Sequence, residues 1–295
     1  MEKKDTEKAK SPLKGALCLT ASAFGFALMA ALVRLSDDFG PEASTFQKSL
    51  FRNAIAVIIA FSVFVRSAEC RRSASAVPRE GWALLLLRSA AGCIGIFGNF
   101  YALSKIPIGE AMALNKTAPF FTVLFTWMFL GEKIRFRQAL CLAVAFAGAM
   151  LVMKPGFRGA ETFASLCALA GGLGAGIAYT CVRELGVMGV RGPLIVLFFS
   201  AFSTLAALPF LAFGATPMTP AQIAIMTGAG CGGAIGQFGV TAAYRYAQPR
   251  QIAALDYTNV VFTAIFGYLL FGQIPDAWSS LGFALIVAAA LRSAR

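Results

Sequence analysis

Long apolar blocks without a single charge leave this chain one solvent to fold in. Residues 139–153 and 194–213 are two such blocks. A helical residue rises about 1.5 Å and the hydrocarbon core of a bilayer is about 30 Å thick, so about 20 apolar residues span it. Where water is absent a helix satisfies its own backbone hydrogen bonds, so each block reads as a helix. Composition agrees: 58% of the 295 residues are hydrophobic and 14% charged, against about 25% charged in soluble domains.

The pattern predicts an all-α integral membrane protein with ten transmembrane helices, over residues 13–36, 42–65, 80–104, 107–130, 136–153, 161–182, 193–213, 221–244, 251–272 and 277–293. Turn and charge signals separate them, among them Asp37-Asp38-Phe39-Gly40-Pro41, Arg71-Arg72-Ser73, Gly131-Glu132-Lys133 and Lys154-Pro155-Gly156. The lysine-rich start reads as a short solvated tail, because the apolar run behind it is too long for a signal peptide. Seven cysteines lie nearly all within spans and none forms CxxC, so neither a disulfide framework nor a zinc site is expected.

The net charge of +12 invites a nucleic-acid reading, and its distribution rejects it. With the N-terminus inside, eighteen of the 26 Lys and Arg fall in inner segments or at inner span ends, and three in outer loops. That bias places both termini in the cytoplasm. A multi-pass cell membrane protein follows, in a bacterial inner membrane given the lack of eukaryotic targeting features.

The chain also repeats itself. At one constant shift, Gly92, Gly95, Phe97 and Gly98 meet Gly233, Gly236, Phe238 and Gly239, and Thr117, Phe121, Thr122 and Gly131 meet Thr258, Phe262, Thr263 and Gly272. At a slightly larger shift, Leu17, Gly25, Val33 and Arg34 meet Leu166, Gly174, Val182 and Arg183. The expected halves are residues 1–155 and 156–295. Five spans each is odd, so the second half enters the membrane inverted. Inverted repeats that rock about a midplane site are a recurrent transporter architecture.

Certain strings carry a family resemblance: Phe100-Tyr101-Ala102-Leu103, Ile108-Gly109-Glu110-Ala111, Thr117-Ala118-Pro119-Phe120-Phe121-Thr122, Phe129-Leu130-Gly131-Glu132-Lys133-Ile134 and Met153-Lys154-Pro155. Over essentially its whole length the chain resembles the drug/metabolite transporter superfamily, EamA type. The resemblance implies ten helices as an inverted five-plus-five repeat. It implies no substrate, since such carriers move amino acids, nucleotide sugars, flavins, adenosylmethionine and carboxylates. The second half departs from the pattern with Gly272-Gln273-Ile274, where a Gly-Glu pair is common.

Ionisable residues inside spans cost at least about 2.5–3.5 kcal/mol at the centre and point to function. Here they are Arg34, Lys48, Arg52, Arg88, Lys116 and Asp256, with Glu110 near an outer end. Arg34 lies near enough to the outer surface to snorkel. Lys48 and Arg52, one helical turn apart, share one helix face. One carboxylate cannot neutralise the four deeper cations, so an anionic substrate is expected to complete the set, on Lys48, Arg52, Arg88 and Lys116. Arginine suits carboxylate or phosphate because its fork binds two oxygens. The rival account is pairing with carbonyls or Asp256.

Asp256 aligns with Asn115 in the repeat, and Tyr257 with Lys116. All four are expected at the substrate cavity. Asp256 is the proton-coupling candidate, or else a static partner of Lys116 or Arg88. Tyr101, Gln237, Asn99, Thr258 and Asn259 either line the cavity or join helices by hydrogen bonds. Gly92, Gly95, Gly98, Gly233, Gly236 and Gly239 read as sliding or packing surfaces, and Pro119 as a hinge or packing kink in its span. The GxGxxG match at residues 228–233 follows no strand and fails as a dinucleotide loop.

The sequence therefore predicts a carrier of a small organic anion, working by alternating access as a monomer or homodimer among membrane lipid. It needs no cofactor, metal or nucleic acid. The alternative is a carrier of amino acids, amines or drug-like zwitterions, with Asp256 binding the amine. With no His, no HExxH and no close pair of intramembrane carboxylates, an enzyme is not expected.

Overall fold

The computed structural model describes residues 11–106, 108–154 and 162–293. The expected N-terminal tail, the junction of the halves at 155/156 and the Glu110 side chain lie outside the described residues. Among the described residues all regular structure is helical. The helices are α1 (Pro12–Ser36), α2 (Thr45–Arg66), α3 (Ala68–Ser75), α4 (Arg79–Lys105), α5 (Ile108–Asn115), α6 (Ala118–Leu130) and α7 (Phe136–Met153), then α8 (Thr162–Val187), α9 (Gly192–Gly214), α10 (Pro220–Tyr246), α11 (Pro249–Ile252), α12 (Thr258–Phe271) and α13 (Ala277–Ser293). Short 3₁₀ turns cover Asp37–Phe39 and Ala253–Tyr257. Eight segments among the described residues are long and apolar enough to cross a membrane; Ala118–Leu130 and Ala277–Arg292 are shorter apolar helices.

Local chemistry sets the helix ends. Ser44 and Thr219 open α2 and α10 with capping boxes completed by Gln47 and Gln222, which satisfies otherwise orphaned amides. Gly131 and Gly272 close α6 and α12 at φ of 69° and 64°, a left-handed conformation that glycine adopts without a Cβ clash. These two glycines meet each other at the constant shift of the internal repeat.

Two expected spans are not single helices. The fourth breaks between Asn115 and Ala118, and the ninth runs through the 3₁₀ turn Ala253–Tyr257. Pro119 sits in the first turn of α6 rather than inside an unbroken helix, a place where its missing N–H costs nothing. The Arg71-Arg72-Ser73 turn is instead part of α3: the Ser67 hydroxyl accepts from the Cys70 amide at 3.3 Å, and the polar sequence forms a short helix unsuited to span lipid.

Tertiary packing joins α1 to α10, α4 to α8, α7 to α13 and α2 to α9. Small residues permit it. A Cβ on Gly25 would lie 2.6 Å from the Gly236 nitrogen, one on Gly174 2.5 Å from the Ala91 oxygen, and one on Gly148 2.7 Å from the Gly282 oxygen. Such approach of backbones is how helices associate where lipid is as apolar as the side chains. Large apolar groups such as Phe129, Phe136 and Leu291 are exposed around the outside, while Arg88 is buried within. That is the reverse of a water-soluble surface.

Candidate functional site

A cavity of about 560 Å³ lies among α1, α2, α4, α5, α8, α9, α10 and α12. Arg34, Asp37, Glu42, Lys48 and Gln273 line one end, where the Glu42 side chain is 73% exposed. Arg52, Arg88, Asn99, Tyr179, Phe199, Gln237 and Asn259 line it further in, with Lys116 and Asp256 in the wall.

The four deeper cations fall into two kinds. Lys48 pairs with Glu42 at 2.9 Å, and Lys116 with the Asp256 carboxylate at 3.0 Å. Arg52 and Arg88 have no carboxylate partner among the described residues. Each lies against an aromatic ring instead. The Arg88 guanidinium stands 3.5 Å from the Phe199 ring centroid, and that of Arg52 5.5 Å from the Phe26 centroid. Cation–π contact contributes about 2 kcal/mol or more when desolvated, and it leaves the N–H edges open. Arg52 Nε, Arg88 Nε and Arg88 Nη1 are buried without a hydrogen-bond partner, although buried donors are normally satisfied.

The Lys116–Asp256 pair stands at the two broken spans. Lys116 Nζ donates to Asp256 Oδ2, and the Tyr257 hydroxyl donates to the Lys116 carbonyl at 2.8 Å. The breaks are thus tied to each other in both directions. Of the two pairings expected for Asp256, the structure contains the one with Lys116.

The other expected residues divide. Asn115, Gln237, Asn99, Gly92 and Gly95 line the cavity. Asn259 does so too, while its Nδ2 donates to the Ala23 carbonyl at 2.9 Å and ties α12 to α1. Tyr257 is fully buried and Tyr101 stacks edge-on against Phe163, neither of them in the cavity wall. Thr258 bonds back to the Leu255 carbonyl. Gly98 meets α8 at the Cys167 carbonyl, Gly236 and Gly239 meet α1, and Gly233 lies beside Arg52 and Met29.

Sequence reasoning missed several groups. Glu42, the partner of Lys48, was expected at the start of the span over 42–65 and lies instead in the loop before α2, which begins at Thr45. Phe26 and Phe199 were hidden among 27 phenylalanines. A buried ion pair, Arg183 Nε to Glu132 Oε1 at 2.9 Å, joins α8 to the α6–α7 turn away from the cavity. The alignment of Arg183 with Arg34 was its only signal. Among the described residues no group of three or more His, Cys, Asp or Glu is placed to hold a metal.

Residues 13–154 match the model of the EamA-like transporter family. The chain is 29% identical to a pseudopaline exporter of Pseudomonas aeruginosa (strain UCBPP-PA14) over 95% of its own length and 96% of that protein's. It is 30% identical to a riboflavin transporter of Rhizobium johnstonii, covering 70% of this chain and 68% of that one. A solved crystal structure superposes with a TM-score of 0.76 at 18% identity, covering 92% of this chain and 96% of that chain, and so shares the fold. Members of the family are transporters, not enzymes. This chain belongs to the EamA-like transporter family and is a multi-pass membrane transporter of a small molecule.

Proposed function

We propose that the protein carries a small organic anion, with a carboxylate or phosphate held by Arg52 and Arg88. One observation carries this: Arg52 and Arg88 line the cavity with buried N–H groups that lack acceptors and have no carboxylate partner, while the neighbouring Lys48 and Lys116 have theirs. An unpaired charge in a low-dielectric site is costly, and a bound anion removes the cost. A carrier of amines has less support, because Lys116 already occupies Asp256. The relatives named as pseudopaline exporter and riboflavin transporter support a small organic cargo without choosing among cargoes.

In this proposal ten spans form two inverted halves, residues 1–155 and 156–295, with both termini cytoplasmic in a bacterial inner membrane. The packing supports the repeat. Exchanging the aligned spans turns α1 on α10 into α8 on α4, and α12 on α1 into α6 on α8, contacts that all occur. The two ends of the molecule then act as gates. The Glu132–Arg183 pair holds one end shut, and the aligned positions, Gln273 and Arg34, line the cavity at the other. Proton coupling at Asp256 requires its bond to Lys116 to open during the cycle.

A thermal-shift screen of the purified protein against anionic, zwitterionic and cationic metabolites tests the proposal. A ligand binding only the folded state at a hundred times its dissociation constant adds about 2.7 kcal/mol. Stabilisation by carboxylates or phosphates, lost in Arg52→Ala and Arg88→Ala, is expected. Stabilisation by amines alone, lost in Asp256→Asn, would replace the anion with an amine.

A further inference from the structure

We infer that the substrate carries two negative charges, which Arg52 and Arg88 bind at two separate half-sites. This rests on the anion-carrier proposal and adds the charge of the cargo. Among the described residues the cavity wall holds five cations, Arg34, Lys48, Arg52, Arg88 and Lys116, and three carboxylates, Asp37, Glu42 and Asp256. Glu42 neutralises Lys48 and Asp256 neutralises Lys116. Arg34 is exposed to solvent at the end of the cavity that Asp37 also lines. The surplus is two, and it falls on the two guanidiniums whose buried N–H groups lack acceptors.

The two guanidiniums are held by different elements. Arg88 on α4 lies over Phe199 of α9 beside Gly92, whose added Cβ would stand 3.2 Å from Arg88 Nη1. Arg52 on α2 lies over Phe26 of α1 beside Gly233, whose added Cβ would stand 3.0 Å from Arg52 Cγ. Gly92 and Gly233 are equivalent positions of the internal repeat. Each half-site is therefore an arginine, a phenylalanine that covers one face of it, and a glycine that leaves room alongside. Arg52 and Arg88 are still close enough for their charges to interact. A monoanion would leave one buried cation uncompensated, whereas two charges neutralise both. The charges sit either on two acid groups of one molecule, one in each half-site, or on one phosphate monoester that bridges the two.

The test is thermal stabilisation of the full-length purified protein by the dicarboxylates from malonate to pimelate and the monoamide of each, by glycerol phosphate and its singly charged methyl diester, and by alkylamines. The expected result is that at least one dianion stabilises the protein and its singly charged counterpart binds on the order of thirtyfold more weakly, the scale of truncating one partner of a buried charge pair. A dicarboxylate response places the charges on two groups; a response to glycerol phosphate alone places them on one. Arg52→Gln and Arg88→Gln should each collapse the discrimination between the dianion and its monoamide, and Arg52→Lys, which keeps the charge, should retain it. Equal stabilisation by dicarboxylates and monoamides overturns the two-charge inference and leaves the anion carrier standing. No stabilisation by any anion, alongside stabilisation by amines, overturns both.

Discussion

Glu132→Gln is the sharpest perturbation of the proposed gate. Glu132 Oε1 accepts from Arg183 Nε at 2.9 Å, and the side chains are 3% and 6% exposed. Making Glu132 neutral leaves the Arg183 charge buried with no counter-charge in that pair. Breaking a buried pair from one side costs about 3–5 kcal/mol. If the pair is made only while this end is shut, that cost falls on the shut form alone. The balance between shut and open forms then moves by roughly two to four orders of magnitude. Cys181, close before Arg183 on α8 and buried, supplies the assay. In a protein whose other six cysteines are serine, a membrane-impermeant thiol reagent added from the Arg183 side should label Cys181 slowly, and much faster after Glu132→Gln. Glu132→Gln with Arg183→Met, which removes both charges, should restore slow labelling, because replacing a buried ion pair by apolar groups is often neutral. Unchanged labelling in the single variant, with melting temperature lowered or not, would refute the gate and leave the pair a static brace.

Other outcomes follow from the same geometry. Gly25→Val should abolish folded yield in detergent, since its Cβ meets the α10 backbone rather than a movable side chain; monodisperse protein on size exclusion would contradict the α1–α10 contact. Asn259→Ala removes the bond from α12 to the Ala23 carbonyl and should cost about 0.6 kcal/mol, at most about 1.7, as membrane hydrogen bonds do; thermal unfolding reads it. Asp256→Asn should flatten the pH dependence of uptake into proteoliposomes, and an unchanged profile removes Asp256 from proton coupling. Lys154 and the Ser279 amide hold the exposed Asp276 carboxyl well below the usual carboxylate range. A depressed pKa stabilises the fold above the unfolded value, near about 3.9, and the benefit is lost as pH falls below it. The melting difference between wild type and Asp276→Asn should thus be flat from pH 7 down to pH 5 and shrink below pH 4.

The helical, membrane-bound character of this protein was legible because lipid imposes it through composition and length alone. Blocks such as residues 139–153 have no other stable form in a bilayer, and the observed α7 has the bounds of the expected span 136–153. The constant shift that aligns Gly92 with Gly233 is likewise visible in the chain without any structure. The broken spans were not. Their breaks at Lys116 and Asp256 depend on two segments meeting across the molecule, where Tyr257 and Lys116 bond to each other. The intramembrane cations could be counted in the sequence, but which are neutralised could not. Lys48 finds its carboxylate in the loop just before its own helix, Lys116 finds one in the other half of the chain, and Arg52 and Arg88 meet aromatic rings from other helices. Charge is a property of a residue and is written in the chain; neutralisation is a distance between residues, and only the packing of α1, α2, α4 and α9 and the meeting of the two broken spans decide it.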